Sequence, residues 1–160
     1  MQVLIMRHGE AALDAASDAV RPLTLCGRDE SRQMAAWLNT KSVDIERVLV
    51  SPYLRAEQTL ETVRDALPLP KEAEVMAALT PGGDAALVVS YLQVLAQQGV
   101  ESVLIVSHLP LVGYLVAELC PGECPLMFAT SAIAYVELAQ DGSAGKLEWQ
   151  VSPSQLMAKV

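Results

Sequence analysis

The chain has few basic residues and few aromatic ones, and both shortages exclude classes of partner. Its 160 residues include 11 Lys and Arg against 19 Asp and Glu, which gives a formal net charge of -8 at pH 7. A nucleic-acid binder or a polybasic membrane anchor needs a basic face, so neither function is expected. Aromatic residues make up 4% of the chain, which argues against a platform on which single-stranded nucleic acid stacks.

Cysteine is also scarce, with Cys26, Cys120 and Cys124 the three residues of this type. The odd count, in a chain long enough to bury a full core, favours a reducing compartment over a disulfide framework. The spacing of Cys120 and Cys124 would suit a zinc-binding pair. However, the chain has two histidines and no second cysteine pair, so we expect neither a metal site nor any other cofactor.

Long hydrophobic runs are missing as well. The N-terminus has no basic segment and an apolar run of four residues, 3–6, which does not fit a signal peptide. The most apolar later stretch, 109–120, is too short to span a bilayer and contains Glu118. The sequence therefore predicts a cytoplasmic protein without a membrane segment, and we expect a monomer.

Three apolar runs are predicted as buried strands of a parallel sheet, because none shows the polar alternation of a strand with one wet face. They are residues 3–6, 47–50 and 102–106. Each run precedes a segment with helical periodicity, an alternation that is typical of α/β proteins. The predicted helices are 25–38 with Thr24 as N-cap, 51–66 with Ser51 as N-cap and Pro52 as first residue, a third from the 80–83 turn to about Gln98, and a fourth that ends near Leu119.

The last part of the chain predicts a β-hairpin. Residues 133–138 and 146–151 flank Asp141-Gly142, a dipeptide typical of hairpin turns, and the tail after Pro153 is expected to be irregular. With 52% hydrophobic and 19% charged residues, the chain is not a disordered one. The predicted fold class is thus α/β: a three-layer sandwich with a mostly parallel sheet and a C-terminal antiparallel hairpin, in a single domain of residues 1–160.

Polar clusters follow the three predicted parallel strands. The first strand ends in Arg7-His8-Gly9-Glu10, the second in the segment 51–55 that includes Arg55, and the third in Ser107-His108. Open parallel sheets bind ligands at the carboxyl ends of their strands. We therefore expect both histidines and two arginines to meet in one crevice, although His8 and His108 lie 100 positions apart.

This crevice would be a cationic site in an otherwise acidic protein. An arginine fork matches the oxygens of a phosphate, and the N-termini of the adjoining helices add further affinity for anions. The same arginines would repel a divalent cation. The expected ligand is therefore a phosphate group. His8 is the candidate nucleophile, Gly9 lets the backbone approach the ring and the phosphate closely, and His108 is a candidate for stabilising the transferring phosphoryl group.

Four motifs resemble those of the histidine phosphatase superfamily, which includes the phosphoglycerate mutases. Arg7-His8-Gly9-Glu10 resembles its signature, Pro22-Leu23-Thr24 with Gly27 its P-L-T-x-x-G element, residues 51–59 its second-arginine motif, and Ser107-His108 its second histidine. Together, in this order, they cover nearly the whole chain. The short length, with Arg21-Pro22-Leu23-Thr24 and the segment 108–113, is most similar to the SixA-type phosphohistidine phosphatases of bacteria.

The resemblance implies a phosphoglycerate mutase-like fold and a role for each matching residue. His8 becomes the nucleophile, and Arg7, Arg55 and His108 form the phosphate pocket. Arg21, on the entrance loop, is either an extra contact to the substrate or a plain loop residue. The resemblance also implies a substrate and a partner, the phosphorylated histidine of a histidine-phosphotransfer domain in a sensor kinase.

One departure from the superfamily bears on the substrate. Many members carry a glutamate general acid in the segment that corresponds to 76–80. Here that segment has no carboxylate, and the next acidic residue after it is Asp84. An alkoxide leaving group needs a strong acid, but a phosphorylated imidazole is a better leaving group and carries its own proton. The departure favours protein-borne phosphohistidine. A small-molecule phosphatase and a non-catalytic phosphoprotein-binding module remain as alternatives.

The connection between Ala66 and Met76 is too short for the lid insertion of larger relatives. We therefore expect a shallow, open pocket with a rim from residues 13–21, 80–84 and 125–128. Asp14, Asp18 and Asp84 on that rim would favour a partner with basic residues around its histidine.

Overall fold

A computed structural model of the chain describes residues 1–157 and shows a six-stranded mixed sheet between two helical layers. The strands are β1 (Gln2–Arg7), β2 (Arg47–Val50), β3 (Glu74–Val75), β4 (Ser102–Ser107), β5 (Ile133–Leu138) and β6 (Gly145–Val151). The helices are α1 (Leu25–Asn39), α2 (Leu54–Arg64), α3 (Ala85–Gln97), α4 (Leu111–Leu119) and α5 (Pro153–Met157). Two short 3-10 turns cover Asp18–Val20 and Ala77–Leu79.

The order of strands across the sheet is β3-β2-β4-β1-β5-β6. β1 and β2 both pair with β4 in parallel, and β3 pairs with β2 in parallel. β5 runs antiparallel to β1 and forms the C-terminal hairpin with β6. The predicted fold class is confirmed. Because β4 lies between β1 and β2, the carboxyl ends of the three strands that precede the polar clusters are direct neighbours.

Alternate residues of the parallel strands belong to two hydrophobic cores, one on each face of the sheet. Ile5, Leu49 and Ile105 pack with residues of α3 and α4 on one face. Leu4 and Leu104 pack with residues of α1 and α2 on the other. Both faces are covered, which explains the uninterrupted apolar runs of these strands. The two cores share one sheet. That residues 1–160 form a single domain stays a prediction.

Local signals at α1 act as the sequence predicts. Thr24 accepts a hydrogen bond from the backbone N–H of Gly27 at 3.0 Å and so caps the helix, while Glu10 accepts from the Thr24 hydroxyl at 2.9 Å. A Cβ on Gly27 would lie 2.2 Å from the carbonyl oxygen of Glu10. The glycine therefore lets the start of α1 pack against the loop that follows β1.

Two expectations about local structure were wrong. The helix predicted to open at Ser51-Pro52 begins at Leu54, with Tyr53 at the N-cap, because the Ser51 hydroxyl bonds with a histidine ring as well as with the Tyr53 amide. The tail after Pro153, expected to be irregular, forms α5 as far as Met157. The Gln155 side chain accepts from the Ser152 backbone N–H at 2.7 Å and supports that turn. Residues 158–160 lie outside the described part of the chain.

Within residues 1–157, no helix is long and apolar enough to cross a membrane. In the same range, no cluster of three or more His, Cys, Asp or Glu side chains has a geometry that would hold a metal ion. Cys26, Cys120 and Cys124 are free thiols.

Candidate active site

The two histidines and Arg55 meet at the carboxyl ends of β1, β2 and β4, as the sequence predicts. His8 follows β1, and its backbone N–H donates to the carbonyl of Ser107 at the end of β4 at 2.9 Å. The rings of His8 and His108 have centroids 4.9 Å apart and are tilted by 56°. The Nε of Arg55 lies 3.3 Å from Nε2 of His8. Parallel pairing of β1 and β2 with β4 thus brings distant parts of the sequence into direct contact.

The hydrogen bonds of His8 define which of its nitrogens is free to react. Nδ1 lies 2.7 Å from the carbonyl oxygen of Gly9. A carbonyl oxygen only accepts, so Nδ1 carries the proton of the neutral ring and Nε2 keeps its lone pair. Nε2 is the nitrogen that faces Arg55. Burial is the main cause that lowers the pKa of His8 to about 4; the charge of Arg55 acts in the same direction and the Gly9 bond opposes it, so the ring is neutral at pH 7.

Gly9 is held on both sides. Its backbone N–H donates to the hydroxyl of Thr59 at 2.9 Å, and that hydroxyl donates to the carbonyl of Arg55 at 2.7 Å. A Cβ on Gly9 would lie 2.7 Å from the carbonyl oxygen of Gly27 and 2.8 Å from the Ser31 hydroxyl. A larger residue would push the β1 loop away from α1, and His8 would move with it.

Thr59 falls in the motif 51–59 but was assigned no role from the sequence, although it lies one helical turn after Arg55 and therefore on the same face of α2. That spacing is the signal that could have found it.

His108 lies at the end of β4 and is almost fully buried, with 1% of its surface exposed. Its Nε2 is 2.7 Å from the hydroxyl of Ser51, and the Tyr53 ring packs edge-on against it at 5.2 Å between centroids. Burial lowers the pKa of His108 to about 3, with His8 and Arg55 adding to the shift. The ring is therefore neutral at pH 7 in the ligand-free protein.

Arg7 lies beside this cluster, and one of the five N–H donors of its guanidinium bonds outside it. One terminal nitrogen of its guanidinium donates to the carbonyl of Phe128 at 2.8 Å. Burial, with the charge of Arg55 second, lowers the pKa of Arg7. Its Nε and the Nδ1 of His108 are the two buried side-chain nitrogens of residues 1–157 that have no hydrogen-bond partner. Two unpartnered nitrogens lie at one site, and an oxyanion would satisfy each of them that carries a proton.

The loop before α1 covers the cluster. Arg55 donates to the backbone carbonyl of Asp18 at 2.6 Å and to its carboxylate at 3.2 Å. Arg21 donates to the other carboxylate oxygen at 3.1 Å, and its Nε donates to the carbonyl of Ala12 at 2.8 Å. The expectation of an open, shallow pocket was therefore wrong for this structure: His8 is 6% exposed and Arg55 4%. The Asp18 carboxylate thus occupies donors of Arg55 and Arg21 that a bound phosphate could use.

The predicted rim divides into residues with different tasks. Asp18 contacts Arg55 and Arg21, so it belongs to the site and not to a surface that faces a partner. Asp84 caps α3 by accepting from the Leu87 backbone N–H at 3.1 Å. Asp14 is exposed, and Met127 next to Phe128 is 80% exposed. The selection of a basic partner by this rim stays a prediction.

Replacing Asp18 with alanine is expected to strengthen the binding of inorganic phosphate about fivefold. A partly exposed ion pair contributes up to ~1 kcal/mol, and the phosphate no longer has to displace it. The affinity is measured by isothermal titration calorimetry at constant ionic strength, with Asp14→Ala as the matched control on the same loop. Weaker binding in the Asp18 variant would mean instead that this carboxylate positions the two arginines for the ligand.

Fold and site define the class of protein. A mixed α/β sheet carries two facing histidines, the buried Arg55 and the half-buried Arg7 at the carboxyl ends of its parallel strands. This arrangement suits phosphoryl transfer, and it includes no obvious acid donor.

Comparison with known proteins identifies the family. Residues 3–80 match the model of the histidine phosphatase superfamily, branch 1. Phosphohistidine phosphatase SixA of Escherichia coli (strain K12) is 68% identical over 160 residues, which cover 99% of each chain. A SixA homolog of Haemophilus influenzae is 44% identical over 161 residues, with 96% of this chain and 97% of that one covered. The chain belongs to the histidine phosphatase superfamily, and it is a phosphatase.

A solved structure of similar sequence identity confirms the fold. The structure of the protein histidine phosphatase SixA complexed with tungstate superimposes with a TM-score of 0.96 and 67% sequence identity, and covers 98% of this chain and 99% of that one.

Proposed function

We propose that the protein removes phosphate from a phosphorylated histidine on the histidine-phosphotransfer domain of a sensor kinase, through a covalent phospho-His8 intermediate. The observation that carries the proposal is the unprotonated Nε2 of His8, which accepts a hydrogen bond from Nε of Arg55 at 3.3 Å and belongs to a ring whose centroid lies 4.9 Å from that of His108. The names of the relatives, phosphohistidine phosphatase SixA and its homolog, support the choice of substrate.

In the first step, Nε2 of His8 gives up its hydrogen bond from Arg55, and its lone pair attacks the phosphorus atom of the substrate. The new P–N bond forms as the bond from phosphorus to the substrate imidazole breaks, and the electron pair of the broken bond goes to the leaving nitrogen. If the other nitrogen of that ring carries a proton, the ring leaves as neutral imidazole. Arg7, Arg55 and His108 bind the oxygens of the transferring group, on which negative charge is concentrated.

In the second step, a water molecule attacks the phosphorus atom of phospho-His8. The P–Nε2 bond breaks, its electron pair returns to Nε2, and the proton of the water leaves with phosphate or to solvent. Gly9 keeps its carbonyl on Nδ1–H throughout, so the ring returns to the tautomer that it had before the first step.

The carboxylate nearest to the site is a poor acid, and this supports a substrate with a good leaving group. The hydrogen bond from Arg21 is the main cause that holds the pKa of Asp18 below its ordinary value, so Asp18 is ionised at pH 7. The turn Ala77–Leu79, where the superfamily often carries its glutamate, has no acidic residue. A sugar or nucleoside phosphate would need the acid that is missing here.

The test compares substrates that differ in leaving group. A histidine-phosphotransfer domain phosphorylated on histidine should lose phosphate with a kcat/KM at least 100 times that of any member of a panel of sugar, nucleoside and aryl phosphates. Faster turnover of one of the esters would identify a small-molecule phosphatase, and binding of the phosphorylated domain without turnover would identify a binding module. EDTA should leave the rate unchanged, since we propose a reaction without metal or cofactor.

The oligomeric state and the cellular compartment are proposed from the sequence. We propose a monomeric enzyme of the cytoplasm, because phosphorylated sensor-kinase domains lie in that compartment and the acidic surface does not favour nucleic acid or membranes. Gel filtration with light scattering measures the first property, and localisation of a tagged chain measures the second.

A further inference from the structure

Ser51, the first residue of the motif 51–59, contacts His108, and the family resemblance gives this serine no role. It follows β2 directly, its surface is fully buried, and its backbone N–H donates to the carbonyl of Val106 at 3.1 Å. Its hydroxyl does not cap a helix, since α2 begins three residues later. Instead the hydroxyl oxygen lies 3.2 Å from the backbone nitrogen of Tyr53 and 2.7 Å from Nε2 of His108.

The donors and acceptors around Ser51 favour one direction for these two bonds. A backbone N–H only donates, so the Tyr53 amide uses a lone pair of the Ser51 oxygen. The proton of the hydroxyl then needs an acceptor, and Nε2 of His108 is the acceptor that the described residues offer it. If Nε2 accepts, the single proton of the neutral His108 ring must reside on Nδ1. The opposite tautomer would leave the proton of the buried Ser51 hydroxyl without an acceptor among the described residues, and Nδ1 of His108 without a donor.

The other nitrogen of the ring shows what this arrangement does. Nδ1 of His108 is buried and has no hydrogen-bond partner within residues 1–157. A buried N–H without an acceptor is costly and rare in folded proteins. Here it lies in the same cluster as the unpartnered Nε of Arg7 and the ring of His8. If Nδ1 carries the proton, it can donate to a phosphoryl oxygen. If Nδ1 has a lone pair instead, that lone pair would repel the oxygen.

We propose that Ser51 is a positioning residue: its hydroxyl donates to Nε2 of His108 and keeps the ring proton on Nδ1, where it donates to a phosphoryl oxygen. The second half of this inference rests on the proposed function, whereas the first half concerns the ligand-free protein alone. Burial keeps the His108 ring neutral, so the ring has one proton, and the position of that proton decides which nitrogen can donate. A doubly protonated ring would donate from both nitrogens.

The first measurement is the tautomer itself. Nitrogen-15 spectra of the ring nitrogens at pH 7 distinguish a protonated nitrogen from one with a free lone pair, and the chain has two histidines, so His8→Asn assigns the signals. The wild-type protein should show protonated Nδ1 and unprotonated Nε2 in His108. Protonated Nε2 with a lone pair on Nδ1 would overturn the proposal without any variant.

The second measurement removes the hydroxyl. Ser51→Ala should shift His108 toward the Nε2–H tautomer, weaken the binding of inorganic phosphate about tenfold and lower kcat/KM by a similar factor, as loss of an orienting partner does in other histidine sites. Ser51→Thr keeps the hydroxyl and should restore both. If the added methyl group prevents folding, Ser51→Cys, with its weaker S–H donor, should lie between wild type and alanine.

The matched control is Ser102→Ala. Ser102 is also a buried serine, at the opposite end of the sheet, where its hydroxyl bonds to the backbone of Asp44 and Glu46. This variant should lose stability but keep the His108 spectrum and the phosphate affinity. A spectrum that stays unchanged in Ser51→Ala overturns the role of Ser51 and leaves the proposed function intact. A changed spectrum with unchanged phosphate affinity overturns the contact of His108 with phosphate, and with it the proposed pocket.

Discussion

Replacement of His8 with alanine is expected to abolish turnover of the phosphorylated domain, with a loss of more than ~10⁴-fold in kcat. The imidazole supplies the nitrogen that bonds to phosphorus, and no other side chain of the cluster has an unprotonated nitrogen in the same place. Arg55 would lose its contact with Nε2 but keep Asp18 as a partner. Far-UV circular dichroism should stay as in the wild type, because the ring fills the site and not the two hydrophobic cores.

The same variant separates chemistry from binding. Arg7, Arg55 and His108 remain in His8→Ala, so inorganic phosphate or tungstate should still bind, within about tenfold of the wild-type affinity. Tungstate is a suitable probe because a similar SixA protein has been solved in complex with it. Loss of binding together with turnover would mean that His8 builds the pocket and would leave its nucleophilic role unsupported. Wild-type turnover by His8→Ala would contradict the mechanism outright.

A direct observation of the intermediate completes the argument. Wild-type enzyme mixed with labelled substrate and quenched in alkali should carry phosphate on His8 that is stable to base and lost in acid, which is the behaviour of a P–N bond. His8→Ala should carry none. An enzyme that hydrolyses substrate in a single step, by activating water on the phosphohistidine, would show turnover without this label.

Much of the fold could be predicted from the sequence because the deciding signals are local. Uninterrupted apolar runs mark β1, β2 and β4, and the Asp141-Gly142 turn marks the hairpin of β5 and β6. Given parallel strands, the meeting of the clusters that follow them is a matter of sheet geometry. The prediction that His8 and His108 face one another needed no knowledge of any side-chain contact.

The details of the site depend on contacts between segments that are far apart in the sequence. Ser51-Pro52 has the pattern of a helix start, but the nearby His108 ring offers the Ser51 hydroxyl an acceptor 57 positions away. Asp18 has the pattern of a solvated loop charge, yet it lies against Arg55, 37 positions along the chain. In both cases local patterns give the residue's ordinary role, and a tertiary neighbour supplies a different one.

Arg55 differs from the other cations of the site because all of its nitrogens are engaged. Nε donates to His8, and the two terminal nitrogens donate to the carbonyl and the carboxylate of Asp18. The guanidinium also packs over the ring of Tyr53 at 5.1 Å. When phosphate replaces Asp18, the same fork can bind two of its oxygens while Nε still faces the nucleophile. One side chain thus links the ligand to His8.

Replacement of Arg55 with alanine should therefore lower kcat/KM about 10²- to 10³-fold, the usual effect of removing one preorganised donor to a transferring group. Arg55→Lys keeps the charge but not the fork, so it should recover less than a tenth of the lost activity. Arg32→Ala, which removes an exposed arginine of α1, is the control and should leave the steady-state rate unchanged. If Arg55→Lys were as active as the wild type, charge alone would suffice, and the two-point contact of the guanidinium with phosphate would have to be abandoned.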